Sequence, residues 1–288
     1  MQLLLAAFAL SPLHVGRLVR DRYVVIPNWL STAEAQSLQA DALAVEAAGD
    51  SFDSHVGTSK MGTARLEPDI RVSRQCPLIP PPPTNAGCLA TRERLNTAVR
   101  ELREDLERHP ALNLPALAPF STELGYLLYP KGGHYRRHLD TSGREGGWTR
   151  QGRQASDGGS LSGFRTRRVV SFLLYLNSFW DAAADGGELR IFPVSTSGVN
   201  SPAPASRSET LASVSASAAE HFEDISPEGG TLVLFLSAEV EHAVCVTRRE
   251  RQCVVGWFRE AQEGRVPDLD PMSLRTALPW SGAGGVEA

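Results

Sequence analysis

Apolar and polar positions change their period partway along the chain. Near the N-terminus, Tyr23-Val24-Val25-Ile26-Pro27 is a short β-prone run. Ser31-Thr32-Ala33-Glu34 follows as a capping box, a serine N-cap with glutamate three residues on, and predicts an Ala/Leu-rich helix to about Ala47. Residues 50–88 hold no sustained period and contain the Pro80–Pro83 run, so they are expected to be loop. Leu95, Ala98, Val99, Leu102 and Leu106 then recur on one helix face, which closes before Pro110. From about residue 122 the pattern changes to short β runs. Glu123–Tyr129, Arg168–Leu176, Glu188–Phe192, Thr231–Leu236, Glu241–Thr247 and Cys253–Phe258 are the predicted strands. Helices first and strands afterwards imply an α+β fold, with a β sandwich or barrel in the C-terminal half.

Two stretches interrupt the β half. Residues 141–168 carry seven Gly, six Arg and two acids and read as a solvated basic loop. Its functional alternative is a mobile cover that attracts an acidic peptide. Residues 194–220 hold eight Ser and one Arg and read as a disordered surface excursion. The full chain of 288 residues, with 42% hydrophobic content, is long enough for a sizeable core. No apolar run approaches the roughly 18 residues of a bilayer span, so no membrane span is expected. A formal net charge of −4 argues against a nucleic-acid partner. The run Met1–Leu10 is apolar but has no positive charge before it, which favours the cytoplasm over secretory entry. The four cysteines (Cys76, Cys88, Cys245 and Cys253) form no CxxC pair, and Cys245 and Cys253 are expected to be buried free thiols. Of 29 basic residues, only Lys60 and Lys131 are lysine, so a buried anion would be met by arginine.

The candidate chemistry begins at His138-Leu139-Asp140. In an extended segment, residues two apart share a face, so imidazole and carboxylate can converge on one ion. His221-Phe222-Glu223 has the same pattern, and composition does not choose between them. Context favours the first, because His242 lies in the apolar stretch Leu234–Val244 and supplies a third ligand. Two histidines and one carboxylate on one face of a metal leave adjacent positions open, as in non-haem Fe(II) oxygenases. Nine residues beyond His242, Arg251 opens the run Gln252–Phe258. His134 is read as a surface or substrate-facing residue, Trp180 and Trp257 as packing, with Trp257 also a candidate for the barrel mouth, and Gly186-Gly187 as a turn.

Tyr129-Pro130 and Gly133-His134-Tyr135-Arg136-Arg137-His138-Leu139-Asp140 resemble the first metal strand of the prolyl 4-hydroxylase branch of the Fe(II)/2-oxoglutarate dioxygenases. The nearest resemblance is to the HIF-type, egl-nine-like prolyl hydroxylases. Further similar blocks are Arg168–Asn177 with Trp180, Gly186–Pro193, Pro227 with Gly230–Phe235, His242, Arg251 and Gly256–Phe258. The resemblance implies a double-stranded β-helix, or jelly roll, with supporting helices. It implies Fe(II) on His138, Asp140 and His242, and 2-oxoglutarate with its far carboxylate on Arg251 and hydrogen bonds from Tyr129 and Tyr175. HIF-type relatives also use arginine at that position, where collagen-type relatives use lysine. It further implies O2 as co-substrate, ascorbate as an accessory, and hydroxylation of a proline-containing protein or peptide with release of succinate and CO2. The same chemistry on a free amino acid or small molecule is the alternative, followed by a non-catalytic jelly-roll binding module. The expected organisation is a helical support over residues 1–120, the jelly roll over 121–262 and a tail over 263–288. The basic loop after Asp140 is longer than in such relatives, which separates substrate choice from the shared chemistry.

Overall fold

The computed structural model describes residues 9–57, 64–79, 81–141, 146–150, 165–193 and 221–262. Its helices are α1 (Pro12–Asp21), α2 (Thr32–Ala47), α3 (Leu89–Glu107) and the single turn α4 (Ala182–Asp185). The N-terminal strands are β1 (Tyr23–Ile26), β2 (Phe52–Asp53), β3 (Val56–Gly57), β4 (Ala64–Arg65), β5 (Arg71–Val72) and β6 (Arg74–Pro77). Then come β7 (Glu123–Tyr129), β8 (His134–His138), β9 (Thr149–Arg150), β10 (Arg165–Tyr175) and β11 (Leu189–Phe192). The series closes with β12 (Glu223–Ile225), β13 (Leu232–Leu236), β14 (Glu241–Val244) and β15 (Arg251–Ala261).

The larger sheet runs β1-β13-β10-β15-β7-β6-β2, with β9 on β10, and the smaller runs β12-β11-β14-β8-β5. Facing antiparallel sheets of this kind form the expected double-stranded β-helix. Strand alternation divides the larger sheet between two cores. Tyr126, Leu128, Phe172, Leu174, Leu234, Val254 and Phe258 pack outward against α1, α2 and α3. Leu127, Tyr129, Leu173, Tyr175, Val233, Phe235 and Cys253 point inward, where Leu189, Ile191 and Val244 of the smaller sheet meet them. Arg251 therefore starts a strand whose other face is anchored to helices, whereas His138 and His242 lie on the smaller sheet that faces it.

The capping box at Ser31 forms as expected, with Glu34 reaching back to the Ser31 backbone N–H. Residues 50–88 differ from their reading as loop: β6 pairs with β7, and β5 pairs with β8. These strands are only two to four residues long and interleave arginine with apolar residues, so their formation depends on partners far along the chain. The region before residue 121 thus supplies strands to both sheets as well as helices. The start of β10 at Arg165 shows that residues 165–167, read as loop before the strand predicted from Arg168, are strand. Residues 142–145, 151–164 and 194–220, most of the two interruptions, lie outside the described residues, as do Met1–Phe8 and the tail from 263. Cys253 is buried as expected, whereas Cys245 is only half-buried. Among the described residues no helix is long and apolar enough to cross a membrane.

One buried carboxylate fastens the helices to the sheet. Asp41 of α2 accepts the Tyr126 hydroxyl of β7 at 2.7 Å, and Arg92 Nε of α3 lies 3.1 Å from it. The Cys88 backbone N–H, at the start of α3, also donates to it. Removing a partner from such a buried set leaves a guanidinium uncompensated. Asp41→Ala is therefore expected to destabilise the protein by about 3–5 kcal/mol in chemical denaturation, and Tyr126→Phe by only about 1 kcal/mol.

Candidate metal centre

His138 ends β8 and His242 lies on β14, and the two are direct cross-strand partners. Directly opposed residues on one face of an antiparallel pair bring their side chains together. The imidazole centroids are 4.2 Å apart. Asp140 lies two residues beyond the end of β8, where the Thr141 backbone N–H donates to the Ser237 carbonyl at 3.1 Å. Among the described residues, His138, Asp140 and His242 form a group whose ligand atoms all lie within 4.8 Å of one another. His134 does not join it; its ring nitrogen sits 3.2 Å from the Gly132 carbonyl. Nor does the His221-Phe222-Glu223 triplet, whose glutamate instead accepts the Tyr23 hydroxyl.

Hydrogen bonding orients both rings. His138 Nδ1 is 2.8 Å from the Arg136 carbonyl, and His242 Nδ1 is 3.1 Å from that of Val240. A carbonyl only accepts, so each Nδ1 carries the proton and each Nε2 presents its lone pair. Burial holds the His242 pKa down at about 4 despite the nearby Asp140 charge, which keeps the imidazole neutral and free to ligate. For Asp140, burial pushes its pKa upward, but His242 and His138 overcome it and hold the carboxyl below its usual range. Tyr135 stacks on His138 with centroids 3.6 Å apart, and Phe235 packs against His242 at 4.5 Å.

Arg251 starts β15 at the other end of the barrel lining. It is wholly buried, with 0% exposure. Its Cζ lies 4.9 Å from the Tyr129 ring centroid and 5.0 Å from that of Tyr175, so the two rings bracket the guanidinium. Gly187, at φ +73°, lets the chain pass close by; a Cβ there would lie 3.2 Å from Arg251 Cδ. Nη1 contacts the Cys253 thiol at 3.8 Å, while Nε, Nη2 and the Tyr175 hydroxyl have no hydrogen-bond partner among the described residues. Burial raises the Tyr129 pKa to about 12 and raises that of Tyr175 as well, so both phenols remain donors.

Residues 124–259 match the family model of the 2OG-Fe(II) oxygenase superfamily. That region, just under half of the chain, carries the superfamily's sequence pattern. Together with the solved structures that the chain is similar to, it supports an Fe(II)- and 2-oxoglutarate-dependent dioxygenase. A prolyl 4-hydroxylase from Pseudomonas putida is 26% identical at a TM-score of 0.57, covering 86% of this chain and 98% of its own. A prolyl hydroxylase solved with a hypoxia-inducible-factor peptide from Trichoplax adhaerens is 17% identical at 0.54, covering 92% and 91%. The epimerase SnoN, solved with Fe3+, α-ketoglutarate and nogalamycin RO, shares the fold at 15% identity and 0.50, covering 94% and 90%. No curated protein matches the sequence. The recognised similarity to prolyl 4-hydroxylases is thus carried by a solved relative over most of the chain.

The residues present fit both groups of the superfamily's name. The two imidazoles and one carboxylate form a donor set suited to Fe(II). The open Nε/Nη2 edge of Arg251 is the edge that binds Asp224 at Arg190, where the bonds are 2.8 and 2.7 Å. A carboxylate of 2-oxoglutarate would fill that fork bidentately.

Three contacts around the centre escaped the sequence reading. Ser171 Oγ donates to Asp140 Oδ2 at 2.6 Å, and Ser237 Oγ lies 2.8 Å from Ser171 Oγ. Trp257, read as packing or barrel mouth, donates its Nε1–H to the same Oδ2 at 2.9 Å. The available signal was a lone serine in the apolar run Val169–Leu176. Trp180 is packing as expected, with Nε1 on the Gly186 carbonyl at 3.0 Å.

An uncompensated buried guanidinium costs stability in the absence of an anion. Arg251→Met is therefore expected to raise the denaturation free energy of the ligand-free protein by about 1 kcal/mol or more. The same substitution should abolish the stabilisation that 2-oxoglutarate gives the wild type.

Proposed function

We propose that the chain hydroxylates a prolyl residue in a protein or peptide, with His138, Asp140 and His242 holding Fe(II). The far carboxylate of 2-oxoglutarate is assigned to Arg251, with Tyr175 and Tyr129 donating alongside. The observation that carries the co-substrate assignment is the wholly buried arginine with a free fork. The similarity to a P. putida prolyl 4-hydroxylase supports the choice of a prolyl substrate.

When bound, Fe(II) and 2-oxoglutarate supply the oxidative chemistry, in which O2 is consumed and succinate and CO2 are released. The protein supplies orientation and dryness. Arg251 fixes one end of the dicarboxylate, and the bracketing tyrosine rings keep the guanidinium from swinging. Leu173, Val233 and Phe235 line the interior and exclude water, which strengthens the charge pairing at Arg251. Asp140 supplies the one carboxylate of the three-residue donor set and so offsets part of the charge of a bound cation.

The decisive assay is oxygen-dependent succinate formation with a proline-peptide library and mass analysis of the products. A peptide product heavier by one oxygen, lost in His138→Ala and Asp140→Ala, is the expected result. Oxygen insertion into small molecules alone would replace the peptide reading with the small-molecule one. Metal binding without turnover of any substrate would favour the binding module. Arg251→Ala should weaken 2-oxoglutarate binding far more than Mn(II) binding, measured by separate titrations. Ascorbate is proposed to sustain turnover over repeated cycles.

A further inference from the structure

The Asp140 carboxylate is unevenly loaded. Oδ2 accepts two strong donors, Ser171 Oγ at 2.6 Å and Trp257 Nε1 at 2.9 Å. Oδ1 faces His138, with Nε2 3.6 Å away. Ser171 spends its only proton on Asp140, so its 2.8 Å contact with Ser237 requires Ser237 to be the donor. Ser237 acts twice, because its carbonyl also holds the Thr141 backbone N–H beside Asp140. Both serines are buried, at 1% and 0% exposure, so no water competes for these bonds. Trp257 is fixed in turn: Arg168 Cζ lies 3.7 Å over its ring, and Glu123 pairs with Arg168 at 2.5 Å.

We infer that Ser237, Ser171 and Trp257 form a positioning clamp that saturates Oδ2 and leaves Oδ1 as the single metal-ligand atom of Asp140. A carboxylate held in this way cannot turn to chelate through both oxygens. Asp140 would then give a bound Fe(II) one oxygen rather than two. The inference rests on His138, Asp140 and His242 being the metal site, and its residues touch a ligand rather than the reacting atoms. They are positioning residues, and outer partners of metal ligands typically account for about 10–100-fold in metal affinity.

The test titrates the full chain with Mn(II) and Co(II) in the absence of any substrate, so it does not depend on turnover. Ser171→Ala and Trp257→Phe should each weaken binding by about 10–100-fold. They should also change the intensity of the Co(II) visible bands, which responds to coordination number. Ser171→Thr keeps the hydroxyl and suits a strand, so it should return both readouts to wild-type values. Trp257→Phe keeps a ring beneath Arg168 and removes only the N–H, which separates the hydrogen bond from packing. Wild-type affinity and an unchanged Co(II) spectrum in both Ser171→Ala and Trp257→Phe would refute the clamp while leaving the metal site standing. Failure of the wild type to bind either ion would overturn the site and the clamp together.

Discussion

The register between β10 and β15 governs both ends of the reaction chamber. Ser171 faces Trp257, Leu173 faces Val255, and Tyr175 faces Cys253. One set of pairings therefore places the Asp140 donors at one end, apolar wall in the middle and the Arg251 pocket at the other. A slip of one residue would send every one of these side chains to the helix-facing side. Such a slip would put Phe172, Leu174 and Phe258 inside the barrel and leave the helices without an apolar surface. The packing of α1, α2 and α3 on the outer face thus enforces the geometry of the inner face. The irregularity between Arg168 and Val170 falls just beyond Ser171, where regular alternation is no longer needed to line the barrel.

The long elements were legible because their signals are local. The Ser31 capping box, the α3 stripe and the apolar runs of β7, β10, β13 and β15 each carry their own period. His138, Asp140, His242 and Arg251 were legible because the resemblance places them in family order, and the structure brings the first three together. β5 and β6 were not legible, since a two-residue Arg71-Val72 bridge exists only because β8 is already in place. Ser171 and Ser237 were hidden for another reason. Serine carries no hydrophobic signal and no charge, and its value here comes from a neighbour 66 positions away in the chain.

Arginine usage gains a more specific meaning from the structure. On the outer side of the smaller sheet, Arg137 lies over Phe192 and pairs with Glu241. Arg190 lies over Phe222 and pairs with Asp224. Phe192 and Phe222 flank the undescribed stretch 194–220, so these two stacked pairs fasten both of its roots to the sheet. Planar guanidinium supports the face-on stack and the in-plane fork together, which an ammonium cannot do. Arg251 has the same stacking partners in kind, two aromatic rings, but its fork is left open.

That difference separates the paired surface arginines from the one proposed to bind 2-oxoglutarate. Exposed pairs such as Arg190 with Asp224 contribute little to stability, since solvent screens them. A buried guanidinium without its anion opposes folding, so a fold selected for stability alone would replace Arg251 with an apolar residue. The chain keeps the charge at a position fully removed from water, brackets it with two aromatic rings and opens space beside it through Gly187. Asp140 shows the opposite solution at the far end of the same strands. There two donors satisfy one carboxylate oxygen in advance and leave the other for a cation. One end of the barrel therefore presents an open guanidinium edge, and the other presents two imidazoles and one carboxylate oxygen. A small dicarboxylate that also chelates a cation completes both ends, and this complementarity is the physical basis for pairing Fe(II) with 2-oxoglutarate in this fold.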